Sequence, residues 1–431
     1  MFRGRRRPVR LRTNRIPRDC LRSTLPTQFF YRNFPLPANA CAAVKHASPF
    51  YPLYRSLLGL GISLLAGCAH ESPRQAWTFA VSGDSRDCGN AVMPAIARGA
   101  REAGASFYWH LGDLRKIRAP DFDFLHERRF AGRPPSTEEY VEMAWPDFLE
   151  HQVAPFGEMP FFLGIGNHET VPPKTRAEFR SQFSALLDRT ELRAQRQLDA
   201  KRHLTAAPPG STYYHWVEKG VDFFNLDNAS DDNFDEQQLR WFDEIFDADV
   251  RDPAVLTIVV AMHEALPYSL SGSHSMCGSD AGMASGEHVY RKLIEAQDRH
   301  KRVYLLASHS HYYLANVFNT GYWRDPAHHA RVLPGWIVGS AGAERYVLPA
   351  GMVQGPDAQA HIYGYLIGSV TRDGQIQFAF HALTEVELQE ASHPDYAPDD
   401  IHACFEGNPD LTKTPPAAPI DACPVEATAR R

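Results

Sequence analysis

The chain predicts an α/β sandwich of two sheets, and three observations carry that expectation. Strand and helix signals alternate from about residue 77 to residue 307. Strand signals then recur without clear helices between them. Apolar residues make up 44% of 431, ample for a large core and, at this length, for two or three domains.

A strand over 77–82 opens the series, and a helix near 90–103 follows with Val92, Ile96 and Ala100 on one face and Gly104 as its stop. A strand over 107–111 precedes a charged stretch and a helix near 137–153. A short strand over 161–164 comes next. Residues 174–206 are charged, rich in Gln and Ala, and helically spaced, which reads as a solvated insertion. Tyr213 to Val217, a Glu-Lys-Gly turn and Val221 to Leu226 read as a hairpin. A helix over 235–247 turns Leu239, Phe242 and Phe246 inward. A strand over 255–261, a helix over 286–299 and a strand over 303–307 complete the alternating part. Trp336 to Val338, Tyr363 to Ile367 and Ile376 to Phe380 are the later strands. Residues 385–431, rich in Pro, Ala and Asp, read as a loosely packed tail. No internal repeat is seen.

The net charge of −6 hides two unlike parts. Residues 1–67 hold twelve Lys and Arg against one acid, Asp19, so the rest carries 33 basic and 50 acidic side chains, a net of −17. An acidic body argues against non-specific nucleic-acid binding. Leu57 to Leu65 is a short apolar run with Lys45 and Arg55 before it, as in a targeting segment. It ends in Leu65-Ala66-Gly67-Cys68, which resembles the lipobox of bacterial lipoproteins. The resemblance implies a lipid on Cys68, export, and a membrane-anchored place on the periplasmic face of the cell envelope. The bland alternative is a buried apolar helix with a chance Cys. Ten Arg in the first 32 positions fit no such signal. They read either as the product of a mis-called translation start, with Val44 as the true one, or as a disordered basic arm. The divisions are therefore 1–67, basic extension plus signal; 68–75, linker; 76–384, folded body; and 385–431, tail.

Beyond Cys20, Cys41 and Cys68, four cysteines remain: Cys88, Cys277, Cys404 and Cys423. An even count in an exported protein permits two disulfides in three connectivities. Cys404 and Cys423 close a short tail loop, and Cys88 and Cys277 each follow a candidate ligand block. The expected pairs are 88–277 and 404–423, against free buried thiols.

Five blocks carry the chemistry. They are Gly83-Asp84-Ser85-Arg86, Gly112-Asp113, Gly166-Asn167-His168-Glu169, a lone His263, and His309-Ser310-His311. Each follows a strand-like apolar run, so each would sit on a rigid base and point into one crevice. Carboxylate, amide oxygen and imidazole together suit borderline divalent metals. Singly, each residue has a plainer reading. Asp84 and Asp113 suit helix N-caps, His263 a core histidine, and His110 the core or the surroundings of a ligand. Lys116 suits a solvated surface, and His274 and Ser275 suit either a substrate lid or a mobile loop.

In this order the blocks resemble the calcineurin-like metallophosphoesterase superfamily over about residues 76–345. Its arm nearest the purple acid phosphatases fits best, on His263-Glu264-Ala265-Leu266-Pro267-Tyr268-Ser269, on Phe223 to Asn228 with Gln237 to Phe242, and on Gly339 to Ala343. The resemblance implies a four-layer α/β sandwich of two mostly mixed β-sheets flanked by helices. It also implies two divalent or trivalent metal ions (Fe, Mn or Zn) and hydrolysis of a small phosphate ester by a metal-bound hydroxide at a dinuclear centre. Asp84, Asp113 and His311 would hold one ion. Asp113, Asn167, His263 and His309 would hold the other. His168 would act as acid or hydrogen-bond donor, oriented by Glu169 or a backbone carbonyl. Three positions depart from the family. Arg86 stands where a His is usual, so that metal site loses an imidazole and Arg86 is free to contact phosphate. Lys116 stands where the purple type has Tyr, which predicts no tyrosinate colour. Ser308 for the usual Gly is a milder change. The rival readings are a one-metal hydrolase with an altered substrate and a catalytically silent envelope lipoprotein. No protein partner is implied.

Overall fold

The computed structural model describes residues 75–229, 232–271, 274–328, 330–407 and Cys423. The basic extension, the apolar run, Cys68, the linker to residue 74 and the rest of the tail lie outside the described residues. In chain order the strands are β1 (Gln75–Ser82), β2 (Ala105–His110), β3 (Phe161–Leu163), β4 (Tyr214–Glu218), β5 (Val221–Asn225) and β6 (Thr257–Ala261), then β7 (Arg302–Ala307), β8 (Tyr313–Ala315), β9 (Gly335–Val338), β10 (Ala358–Gln359), β11 (Gly364–Thr371) and β12 (Ile376–Ala382). The main helices are α1 (Gly89–Glu102), α2 (Thr137–Phe148), α3 (Thr190–Lys201), α4 (Glu236–Arg251), α5 (Asp280–Asp298), α6 (Glu385–Ala391) and α7 (Pro398–Gly407).

Five strands form one sheet in the order β12-β11-β1-β2-β3, and seven form the other in the order β10-β8-β9-β7-β6-β5-β4. Both are mixed. β1, β2 and β3 run parallel, with β11 and β12 added antiparallel. β5, β6, β7 and β9 run parallel, while β4, β8 and β10 are antiparallel. The expected fold is the one observed.

Alternation along β1 and β2 assigns the layers, because successive side chains leave opposite faces of a strand. Trp77, Phe79, Phe107 and Trp109 face the second sheet. There Phe79 and Phe107 each meet Phe223 at 5.2 Å between ring centres, and Trp109 meets Trp216 at 5.0 Å. Trp109 also donates through Nε1 to Asn225 Oδ1 at 2.9 Å, one polar bond across the apolar layer. On the other face Tyr108 packs on Phe156 and reaches Met93 of α1. Beyond the second sheet, Phe242 and Phe246 of α4 and Leu293 of α5 close the outer layer.

Several expectations are corrected. Residues 174–206 are not a solvated insertion: Phe179, Phe183, Leu187 and Leu192 are buried, the first two against Trp145. Charge on the exposed face hid an apolar stripe. β8 and β10 have three and two residues, too few for alternation to show. Residues 385–407 are not loose. Thr384 opens α6 with a capping box, and Ile401 and Cys404 of α7 are buried. Arg115, wholly buried, is held by Asp121, Asp123 and Asp147, a network with no periodic signal in the sequence.

The disulfides join Cys88 to Cys404 and Cys277 to Cys423, not 88–277 and 404–423. Proximity in sequence misled for the tail pair, because α7 folds back on the start of α1. Peptide mapping under non-reducing conditions should recover these two pairs and no 88–277 peptide. Cys404→Ser should cost about 2–5 kcal/mol in urea unfolding; an unchanged midpoint would show the bridge to be dispensable.

Candidate metal centre

The site gathers at one end of both sheets. Asp84 follows β1, Asp113 follows β2, Asn167 follows β3, His263 follows β6, and His309 and His311 follow β7. All five strands are parallel to a neighbour, so their C-terminal ends converge. Backbone bonds stitch the loops together across the sheets. Gly83 N donates to Val338 O at 3.0 Å, Asp84 N to Gly112 O at 2.9 Å, and Ser308 N to His263 O at 2.9 Å.

Three of these residues pay for their positions in backbone strain. Asp84, Asp113 and His309 have φ of 61°, 59° and 64°. The left-handed region is tolerated by Asp and disfavoured for most other side chains, at of order 1–3 kcal/mol each. Close approach also fixes glycine at two positions. A Cβ on Gly166 would collide with the Asp113 carboxylate, and one on Gly339 would lie 2.8 Å from Asp84 Oδ2.

One ligand atom from each of Asp84, Asp113, His263 and His309 lies within 4.8 Å of the others. His263 Nε2 is 3.1 Å from Asn167 Oδ1, 3.0 Å from His309 Nδ1 and 3.4 Å from Asp113 Oδ1. Its other nitrogen lies 3.0 Å from both Leu111 O and Ser308 Oγ. The backbone N–H of His309 donates to Asp84 Oδ2 at 2.7 Å, and that of His168 to Asp113 Oδ1 at 3.0 Å. His311 stands to one side, with Nε2 3.3 Å from Asp84 Oδ1.

The electrostatics call for a cation. Asp84 Oδ1 and Asp113 Oδ2 are buried and accept no hydrogen bond, which is costly for a carboxylate. Burial, then the Asp113 charge, pushes the Asp84 carboxyl up. Burial lifts Glu264 to about 9. His263 stands at about 10, because Asp113, Asp84 and Glu169 outweigh the burial that would lower it. Burial and the His263 charge hold His309 well below its ordinary value, so its imidazole is neutral. Two buried carboxylates, a neutral imidazole and an amide oxygen are the donor set of a borderline divalent ion. The residues fit a bound metal ion of this kind.

The six expected ligands, Arg86 and His168 all lie here, in arrangements the sequence did not all foresee. Arg86 Nη2 donates to His311 Nε2 at 2.8 Å, and Nη1 bonds His168 Nε2. Lys116 O accepts from His168 Nδ1 at 2.8 Å, so the backbone carbonyl orients this ring. The nitrogen facing the site is then an acceptor, where a donor was expected. Glu169 instead accepts three backbone N–H groups, from Asp113, Leu114 and Gly166. Lys116 pairs with Asp87 at 2.5 Å and Glu344 at 3.2 Å. His110 is buried, 2.9 Å from Ser85 Oγ. His274 lies 5.2 Å from His309 ring to ring. No sequence signal pointed to Glu344, whose carbonyl accepts from His311 Nδ1 at 2.6 Å, or to Tyr346, stacked on His311 at 3.9 Å.

Fold and site together define a two-sheet α/β sandwich with a cluster of metal-ligand side chains at one end of both sheets. The chain belongs to the calcineurin-like phosphoesterase family, whose model matches residues 78–313, more than half of its length. No curated protein matches it significantly in sequence. Similar solved structures include the purple acid phosphatase PPD1 from yellow lupin (Lupinus luteus) seeds, at 13% identity and a TM-score of 0.44, covering 74% of this chain and 57% of that one. This chain thus spans just over half the length of the lupin enzyme. PhoD matches at 13% identity and a TM-score of 0.42, covering 78% of each chain. A dimetal phosphatase from Danio rerio matches at 13% and 0.39, covering 72% of this chain and 100% of that one.

Glu169→Ala would leave three buried donors unpaired, at about 1–3 kcal/mol each. Chemical denaturation should show a loss of about 3 kcal/mol or more, against under about 1 kcal/mol for Glu390→Ala at an exposed ion pair. Equal losses would mean that Glu169 does not hold these loops.

Proposed function

We propose that the chain hydrolyses small phosphate esters with metal held by Asp84, Asp113, Asn167, His263 and His309. One observation carries the reading: two buried carboxylates from neighbouring parallel strands face each other with an unpartnered oxygen apiece, ringed by imidazoles. When bound there, a divalent ion would polarise the phosphoryl oxygens and bring the pKa of a coordinated water to about 7.

The residues of the chain supply the rest. Leu111 O and Ser308 Oγ fix the ring of His263 so that Nε2 points into the cluster, as orienting partners do around metal ligands. Asn167 contributes a neutral oxygen, which limits the negative charge that would repel a phosphate dianion. Arg86, 9% exposed, presents a permanent cation at the same place and can hold phosphoryl oxygens through its fork. Substrate choice would fall to the walls near His274 and Tyr346.

Asp113→Ala should abolish both metal content, by elemental analysis, and turnover of p-nitrophenyl phosphate and its bis ester with Mn, Zn or Fe. Full metal content in that variant, or no turnover by the wild type with any of these metals, would overturn the reading.

We further propose that the protein is exported and anchored through a lipid on Cys68. Leu65-Ala66-Gly67-Cys68 supports this, as do two disulfides, which persist in oxidising compartments. Cells fed labelled palmitate should label the wild type and not Cys68→Ala; label in both would exclude Cys68 as the anchor.

A further inference from the structure

A family built on two metals needs two sets of free donor atoms, and here one set is already engaged. By the family's pattern the second set would be Asp84, Asp113 and His311. His311 Nδ1 donates to Glu344 O at 2.6 Å, so its proton sits on that nitrogen and the Nε2 lone pair points into the site. Arg86 Nη2 donates to that lone pair at 2.8 Å. One lone pair serves one partner. Arg86 cannot give up its proton to make way for a metal. The other end of the guanidinium bonds the site-facing nitrogen of His168 and stands 3.9 Å from Asp113 Oδ2. Asp84 Oδ1 lies 3.3 Å from His311 Nε2. The guanidinium thus lies among the three side chains that would hold that ion. His311 is also missing from the close-set cluster of Asp84, Asp113, His263 and His309.

We propose that the guanidinium of Arg86 replaces one of the family's two metal ions, so that the chain holds a single ion beside a fixed organic cation. The proposal rests on the metal-dependent reading above and deepens it. The single ion takes Asp113, Asn167, His263 and His309, with Asp84 at its edge. Arg86 then does two things that the missing ion would do. It offsets the Asp84 and Asp113 charges, and it offers its N–H fork to a phosphoryl group.

Stoichiometry tests this without reference to turnover. The full chain, stripped with chelator and titrated with Zn or Mn under native mass spectrometry, should saturate at about one equivalent, and Arg86→His should take up about two. Arg86→Met, which neither ligates nor carries charge, should still bind about one equivalent. That variant should bind inorganic phosphate in calorimetry about tenfold to a hundredfold more weakly than the wild type with the same metal loaded. Two equivalents in the wild type would overturn the substitution while leaving the phosphoesterase reading intact. No metal at all would overturn both. Unchanged phosphate binding by Arg86→Met would overturn the role of Arg86 as the phosphate-binding cation. Should Arg86→His not fold, the wild-type titration and Arg86→Met still decide.

Discussion

The structure turns on two buried carboxylates held face to face. Asp84 and Asp113 are fully buried, and each would be more stable in water or apart. Neighbouring parallel strands deliver them to the same space, and left-handed backbone turns both side chains inward. Gly166 and Gly339 are glycine because the carboxylates come so close. Glu169 adds a third acid, yet spends it on three backbone N–H groups. It thereby locks the β2 and β3 loops. The strain, the small residues and the cation demand all follow from that one juxtaposition.

Much of this was legible in the sequence, for identifiable reasons. Asp84, Asp113, Asn167, His263, His309 and His311 were found because each follows an apolar run, and strand ends are where a sandwich of parallel strands gathers side chains. Phe79, Phe107 and Phe223 lie on strands whose alternation is plain. What escaped was what depends on tertiary approach. The carbonyls of Lys116 and Glu344 set the proton positions of His168 and His311, and no residue type reveals a carbonyl. Tyr346 reaches His311 through a loop without periodicity. Arg86 was flagged as a departure, but only the distances show that its fork meets two imidazoles at once. The disulfides were mispaired because loop length says nothing about which helix returns to which.

The C-terminal segment braces the site from behind. Cys88 lies two residues after Arg86, and its bridge to Cys404 ties the start of α1 to α7. Around it, Asn90 Nδ2 donates to Tyr396 Oη at 2.7 Å and Tyr363 Oη donates to Cys404 O at 3.1 Å. Cys277 lies three residues after His274, and its partner Cys423 accepts from Tyr268 N at 3.3 Å through sulfur. Both loops on the rim of the crevice are therefore crosslinked to the C-terminal segment, none of whose described residues joins the cluster. Bridges here limit the excursions of Arg86 and His274, where a displacement of an ångström would matter most.

Two of the departures from the family pattern belong together. Arg86 and Lys116 bring two cations to a region where the family has an imidazole and, in its purple arm, a phenol. Lys116 does not face the cluster, because Asp87 and Glu344 hold its ammonium between them. Those two acids answer Lys116 and leave Arg86 facing Asp84 and Asp113 as the cation from this loop. The same Glu344 offers its carbonyl to His311 Nδ1, which turns the opposite lone pair toward Arg86. A single residue thus draws one cation away from the centre and prepares the acceptor for the other. On the proposed reading the charge that a metal would bring is written into the chain, and the hydrogen bond from Arg86 to His311 sets its position.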